Sequence, residues 1–206
     1  MSKIDPIEFL FANRDRRDEA ANVELAERIV AASDTAAVSE LATAVSRKEI
    51  ASDAIKVLYE VAERKPELAA TQIEPFLELL RHKSNRIVWG AMTAVDAITE
   101  YCPDEVAARL DELRAIANSG SVITRDHFVS ILFKLSASDP GVAPMLLEQF
   151  EECPPNQLPM YAERGIDAIR ALGAGPFVNI LRRRVGEMKT EAKKKRIEKV
   201  LKKLAS

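Results

Sequence analysis

Apolar and polar residues follow one another along this chain with the spacing of amphipathic helices, and the pattern returns every 37 residues. Sets of three apolar residues, separated by steps of three, occupy equivalent places in four successive segments. Such steps place side chains on one face of a helix. The sets are Ile55, Leu58 and Val61; Met92, Val95 and Ile98; Val129, Leu132 and Leu135; and Ile166, Ile169 and Leu172.

Prolines mark the same period. Pro66, Pro103 and Pro140 follow the first three sets at intervals of 37 residues, and further apolar pairs such as Ile73 and Phe76 come after them. Proline is tolerated at the start of a helix and disfavoured in its interior. We therefore predict units of two amphipathic helices joined by a turn. One pair cannot bury both of its apolar faces, so successive pairs are expected to stack.

These patterns predict an all-α protein with a single helical-repeat domain over residues 1–206. Cap helices are expected within 1–33, helix pairs within 34–175 and basic capping helices within 176–206. Helices are predicted near 5–12, 18–31, 34–46, 48–64, 67–82, 86–101, 104–117, 122–137, 141–152, 157–172, 176–186 and 190–204. No stretch shows sustained alternation with a period of two, which would be typical of a strand.

The segment IEPFLELLRHKSNRIVWGAMTAVDAI, residues 73–98, resembles a HEAT repeat. Pro75 matches the proline of the family's first helix, and Ala91, Ala94 and Val95 match the core of its second helix. The resemblance covers about residues 34–175. It implies a right-handed α-solenoid (an alpha-alpha superhelix) of about four to five stacked antiparallel helix pairs, HEAT-like or armadillo-like.

The chain departs from the HEAT pattern in two respects. The arginine that often opens the second helix is present only at Arg125 among four equivalent positions. The 37-residue period is also shorter than the family's usual length of about 40–47 residues. These departures leave the choice between HEAT and armadillo types open.

Composition limits the classes of protein that the chain can be. With 47% apolar and 30% charged residues, it is predicted to be neither disordered nor membrane-embedded. No apolar run approaches the roughly 18 residues of a membrane-spanning helix, and the N-terminal segment lacks the pattern of a signal peptide. Two cysteines are too few for a disulfide framework. We expect a reduced, cytoplasmic protein.

The charge is distributed unevenly. Residues 182–206 carry 11 Lys or Arg and 3 Glu, a net charge of +8, whereas the remaining residues have 19 basic and 29 acidic side chains, a net charge of −10. Apolar residues recur at helical spacing in this basic tail, so it could simply cap the stack with a solvated basic face. It could also bind an anionic partner, such as nucleic acid, in addition to capping.

Residue patterns that support catalysis or metal binding were not found. His82 and His127 have no His or Cys neighbour at ligand spacing, and neither Cys102 nor Cys153 has a convincing base. The carboxylates are scattered in the manner of solvated helix faces. We expect no catalytic residue, no cofactor and no metal site, and hence no enzyme.

The resemblance implies that the second helices of the pairs line a concave binding surface. Trp89, the only tryptophan, shares an otherwise polar column with Ser52 and Asp126, so it is either an exposed anchor or a side chain packed against a neighbouring turn. The candidate partner-binding residues are Tyr59, Arg86, Trp89, Arg125, Asp126, His127, Phe133, Arg164 and Arg170.

The sequence is compatible with three functions. The first is a non-enzymatic scaffold that binds a protein partner along the concave face. The second is nucleic-acid binding through the basic C-terminal helix and the inner arginines Arg86, Arg125 and Arg164, as the resemblance to DNA-alkylation-repair repeat proteins would imply; the acidic body argues against it. The third is a HEAT protein that serves a cofactor-bearing partner.

Overall fold

A computed structural model describes residues 5–15 and 19–205 of the chain. Their secondary structure is helical, with no β-strand among them, which confirms the predicted fold class at the level of an all-α protein. The prediction that a helix begins near residue 18 falls at a position outside the described residues. The chain divides into two compact units, residues 1–128 and 129–206. The prediction of one domain with caps at both ends stays a prediction.

The first unit contains nine helices among its described residues before the helix in which the division falls. They are α1 (Pro6–Asn13), α2 (Ala20–Ala32), α3 (Thr35–Ala44), α4 (Ala51–Arg64), α5 (Pro66–Ala69), α6 (Ile73–Leu79), α7 (Asn85–Ile98), α8 (Pro103–Ala107) and α9 (Leu110–Ser119). The helix α10 (Val122–Leu135) contains the division, which falls after Phe128.

Helix α4 is central to the first unit because it packs against α2, α3 and α7. Its residues Ile55, Leu58 and Val61 are at most 1% exposed, as are Met92, Val95 and Ile98 of α7. The first two predicted apolar sets therefore form the core between α4 and α7. Burying each of these aliphatic side chains contributes about 1.5–3 kcal/mol relative to leaving it in water.

The first helix of a predicted helix pair can be interrupted where the sequence predicts a continuous helix. The predicted helix near 67–82 is divided into α5, a 3₁₀ turn at Ala70–Gln72 and α6. Pro75 lies in the first turn of α6. Its ring would clash with the carbonyl four residues earlier in a continuous α-helix, and it has no N–H to donate, so the helix restarts just before it.

The second unit comprises the end of α10 and five further helices among its described residues. They are α11 (Ala143–Glu152), α12 (Leu158–Arg164), α13 (Ile166–Leu172), α14 (Ala174–Arg184) and α15 (Glu191–Ala205). The Phe150 ring lies at the centre of an aromatic core, with ring centroids 6.3 Å from Phe133, 6.2 Å from Tyr161 and 5.3 Å from Phe177.

Arg184 closes the end of α11 in the second unit. Its guanidinium donates to the backbone carbonyls of Phe150 and Cys153, each at 2.8 Å, and to the carboxylate of Glu187 at 2.8 Å. The last carbonyls of a helix have no partner within the helix. This buried cation therefore replaces hydrogen bonds that α11 cannot make for itself.

Helix α15 packs against α12 and α14 through Ile197 and Val200, which are buried. Its apolar face thus belongs to the core of the second unit, as its sequence pattern predicts. No helix in the described part of the chain has both the length and the apolar character that crossing a membrane requires.

Candidate functional site

Two aromatic rings meet on neighbouring helices of the first unit. Tyr59 of α4 and Trp89 of α7 have ring centroids 5.5 Å apart and ring planes inclined by 47°. The tyrosine is buried, with 7% of its surface exposed, whereas the tryptophan is half-buried. Trp89 thus packs against a neighbouring helix and still reaches the surface, and its role as a binding anchor stays a prediction.

Gly90 allows these two helices to approach each other. A Cβ atom at this position would lie 2.7 Å from Cγ1 of Ile55 and 3.4 Å from Cδ1 of Tyr59. The first distance is far shorter than a normal carbon–carbon contact of about 3.5–4.0 Å. The absent side chain therefore brings the backbone of α7 against α4, which places Trp89 beside Tyr59.

A cation lies over each aromatic ring, one helical turn before it. The Arg86 guanidinium carbon is 5.6 Å from the Trp89 ring centroid, and the Lys56 ammonium is 4.7 Å from the Tyr59 ring centroid. Residues three apart on a helix are neighbours on its surface. Both pairs have the geometry of cation–π contacts, in which a positive group is attracted to the negative face of the ring.

Glu19 joins the two cations. Its Oε1 accepts a hydrogen bond from Arg86 at 2.9 Å, and its Oε2 lies 3.2 Å from the Lys56 ammonium. The residue directly precedes α2 but makes no side-chain capping bond to that helix. We call Glu19, Lys56, Tyr59, Arg86 and Trp89 the aromatic–cation cluster.

Glu60 and Arg64 extend this network along α4. Glu60 is buried and forms ion pairs with Lys56 and Arg64. Burial by itself would raise the pKa of Glu60, but hydrogen bonds from Lys56 and Arg64 outweigh it, so the pKa lies below its usual value. The carboxylate is therefore charged at neutral pH although it is buried.

Lys56 is a charged side chain held in a nearly closed environment, with only 10% of the side chain exposed. Burial by itself would lower the pKa of Lys56, but its interactions with Glu60, Tyr59 and Glu19 outweigh that effect and raise the pKa above its ordinary value. The pKa of Tyr59 is also raised, chiefly by burial. With Glu60 and Arg64 included, three cations face two carboxylates, so the network carries a net positive charge.

Other predicted site residues of the first unit lie on α10. His127 Nδ1 is 2.8 Å from Oδ2 of Asp96, which links α10 to α7. Arg125 makes a long contact of 3.5 Å with the carbonyl of Asn118, and Asp126 is half-buried. These three residues are part of α10. The predicted residues that the structure brings together are Tyr59, Arg86 and Trp89.

The remaining predicted residues belong to the second unit, and two of them make contacts within it. Phe133 is half-buried against Phe150, and Arg170 donates to the carbonyl of Lys203 at 2.7 Å. Arg164 is exposed at the end of α12. Among the described residues, no three His, Cys, Asp or Glu side chains are grouped closely enough to hold a metal ion.

Sequence reasoning missed Glu19, Lys56 and Glu60. The four-residue spacing of Lys56 and Glu60 was a usable signal, because such pairs face each other on a helix. Glu19 gave no signal, since it is 67 residues from Arg86 and an acidic residue before a helix is normally assigned to capping.

The basic tail separates into cations with partners and cations without. Arg196 is bonded to Glu163 at 2.9 Å, Lys193 to Asn156 at 2.7 Å, and Arg183 to Glu151. Three exposed lysines of α15 make no hydrogen bond or ion pair within the described part of the chain, and helical spacing places them on one face: Lys195, Lys199 and Lys202. We call these three residues the lysine ridge.

No protein-family model and no curated protein sequence matches this chain. Among solved structures, the chain is similar to a crystal structure described as an engineered protein, with a TM-score of 0.59 and 13% sequence identity. The alignment covers 98% of this chain and 97% of the engineered one. At this level of identity the likeness concerns the all-helical fold alone.

Proposed function

We propose that this chain is a non-enzymatic, HEAT-like right-handed α-solenoid that binds a protein partner on the face carrying α4 and α7. The 37-residue period and the packing of α4 between α2 and α7 support the repeat assignment. In this arrangement α4 and α7 are the second helices of successive pairs. The face that they share would then be the concave surface that such repeats use for binding.

The aromatic–cation cluster is the observation on which this proposal depends. Trp89 is half-buried beside Tyr59, and Arg86 lies over its ring. Tryptophan, tyrosine and arginine are the residues most enriched among those that dominate binding energy at protein interfaces. A ring already fixed by Tyr59 loses little conformational entropy when a partner covers it.

Affinity capture tests the proposal. The wild-type protein and a Trp89→Ala variant would be immobilised and exposed to a lysate of the source cells, with bound proteins quantified by mass spectrometry. Truncating a central interface aromatic costs about 2 kcal/mol or more, so we expect at least a tenfold loss of the specific partner. Circular dichroism checks that the variant is folded.

A matched pair of arginine variants supplies the control. Arg86→Gln removes the cation over Trp89. Arg81→Gln breaks a comparable exposed pair, in which Nε of Arg81 lies 2.6 Å from Oε1 of Glu112. Loss of the partner with Arg86→Gln and its retention with Arg81→Gln would support the proposal. Equal recovery of the same proteins by the wild type, Trp89→Ala and Arg86→Gln would show that the face is not the docking surface.

A second function, nucleic-acid binding through α15, is favoured by the lysine ridge. Its three side chains are exposed and make no hydrogen bond or ion pair among the described residues. The pKa of Glu163 is lowered chiefly by Arg196, and Lys199 contributes to this lowering only at longer range. Binding to phosphates releases counterions, so the logarithm of the affinity for duplex DNA should fall with the logarithm of salt concentration. Replacing all three lysines by glutamine should reduce that slope by about 3, at about 0.9 per phosphate contact. An affinity that is independent of salt would remove this function.

A further inference from the structure

Glu19 occupies an unusual position for a residue at a helix start. Its carboxylate turns away from the backbone N–H groups of α2 and reaches Arg86 on α7 and Lys56 on α4. Each carboxylate oxygen has one cation, Oε1 with the guanidinium and Oε2 with the ammonium. The two cations thus form a receptor for a single carboxylate, with the Trp89 ring beside it.

The receptor is built into the helices, whereas its occupant is not. Lys56 is nearly buried and held by Glu60, and Arg86 is held over Trp89, so both cations stay in place without Glu19. The Glu19 side chain is 50% exposed. The pair of Glu19 with Arg86 is exposed and stabilises the protein only weakly, and Lys56 keeps Glu60 as a partner when Glu19 leaves. Another carboxylate can therefore replace Glu19 at little cost.

We infer that Lys56 and Arg86 form a binding site for an aspartate or glutamate side chain of a peptide ligand, and that Glu19 occupies this site in the free protein as an internal competitor. The inference deepens the proposed function, on which it rests, by naming the chemistry of the partner. An incoming acidic residue displaces Glu19, and the neighbouring residue of the ligand packs on the exposed part of Trp89.

Local charge favours an acidic ligand over a neutral or basic one. Among the described residues, the ion pairs of Lys56, Arg64 and Arg86 in this network involve two carboxylates, those of Glu19 and Glu60, so the network is positive even while Glu19 is bound. Release of Glu19 raises this local charge by one more unit. Electrostatic complementarity of this kind selects partners and speeds their association.

Peptide selection tests the site with a defined probe. A phage-displayed library of random 12-residue peptides would be selected on the wild-type protein, and enriched peptides would be synthesised together with counterparts in which each Asp or Glu is replaced by Asn or Gln. Binding would be measured by isothermal titration calorimetry, which requires no tryptophan and therefore applies to the Trp89→Ala variant as well. We expect enriched peptides to contain a carboxylate that is required for binding.

Three variants distinguish the outcomes. Glu19→Gln removes the competitor and should tighten peptide binding about fivefold, the equivalent of an exposed ion pair of about 1 kcal/mol. Arg86→Gln should weaken it at least tenfold, and Arg81→Gln should leave it unchanged. Carboxylate-independent binding, or an affinity that Glu19→Gln leaves unchanged or weakens, would overturn the inference, as would a selection that enriches no peptide.

The same experiment separates this inference from the proposed function. Peptides whose binding is lost in Trp89→Ala but is insensitive to Glu19→Gln would leave the docking face in place and refute the carboxylate site. Peptides that bind Trp89→Ala as tightly as the wild type would refute the docking face itself.

Discussion

Replacing Gly90 by alanine sets two opposing effects against each other. Alanine is favoured over glycine in a helix interior by about 1 kcal/mol, which alone would stabilise α7. The added Cβ, however, would lie 2.7 Å from Cγ1 of Ile55, a side chain only 1% exposed in the core between α4 and α7. Relieving that overlap requires a shift of roughly 1 Å, given normal contacts of about 3.5–4.0 Å.

Overpacking of this kind costs about 1–3 kcal/mol. Most of that range lies above the gain of about 1 kcal/mol in helix propensity. The difference between the two effects centres on about 1 kcal/mol, so we expect Gly90→Ala to destabilise the protein by about that amount and to lower its Tm by about 2–4 °C. Thermal and urea unfolding monitored by circular dichroism measures the change. Trp89 fluorescence additionally follows the unfolding of the first unit, which contains the added atom.

Gly186→Ala is the matched control. Gly186 lies in the 3₁₀ turn Val185–Glu187, is not followed by proline, and has no atom beyond its chain neighbours within 4 Å of an added Cβ. Its replacement by alanine should therefore raise stability by about 0.4–1 kcal/mol, because alanine restricts the unfolded chain. If Gly90→Ala proves as stable as the wild type, or more stable, then α4 and α7 are not packed as closely as described, and the placement of Trp89 beside Tyr59 loses its explanation.

Two further variants test the buried ionic groups. Because the pKa of Glu60 is lowered in the folded state, its contribution to stability is present above the unfolded-state pKa and is lost as pH falls through the folded-state value. Glu60→Gln should therefore lower the free energy of unfolding by about 1–3 kcal/mol at pH 7, and the variant should lose less stability than the wild type below about pH 5. Urea unfolding at a series of pH values measures both effects. Identical pH profiles for the two proteins would contradict this prediction. Arg184→Met should destabilise the second unit by about 2–4 kcal/mol in the same assay, because it leaves the buried carbonyls of Phe150 and Cys153 without their donor. A loss below about 0.5 kcal/mol would show that water satisfies these carbonyls.

The regular part of the fold could be predicted because it follows from periodicity. Ile55 and Val95 belong to sets spaced by three residues, and such spacing defines a buried helical face whatever the tertiary structure. Pro66 and Pro103 begin α5 and α8 because proline suits the first helical position. The interruption before Pro75 was missed, since a proline in the first turn was interpreted as part of a longer helix.

The site was less predictable because its contacts join distant residues of ambiguous type. Arg86 and Trp89 could be proposed from their place on a second helix, but Glu19 could not, since nothing in its neighbourhood indicates a partner on α7. A lysine is normally solvated, and nothing in the sequence around Lys56 indicates that it is nearly buried or that it pairs with Glu19 as well as with Glu60. Arg184 was hidden in a tail whose cations all look alike in sequence, although this one is buried in the structure.

The enclosure of Lys56 gives the protein a built-in reporter of local opening. Acylating reagents attack the neutral form of an amine, and here the amine is both shielded from solvent and kept protonated by its neighbours. The exposed lysines of α15 would be modified at once, while Lys56 would react only in the moments when α4 loses its carboxylate neighbours. The rate at which Lys56 is acylated therefore measures how often this part of the molecule opens locally. A ligand that replaces Glu19 would change that rate.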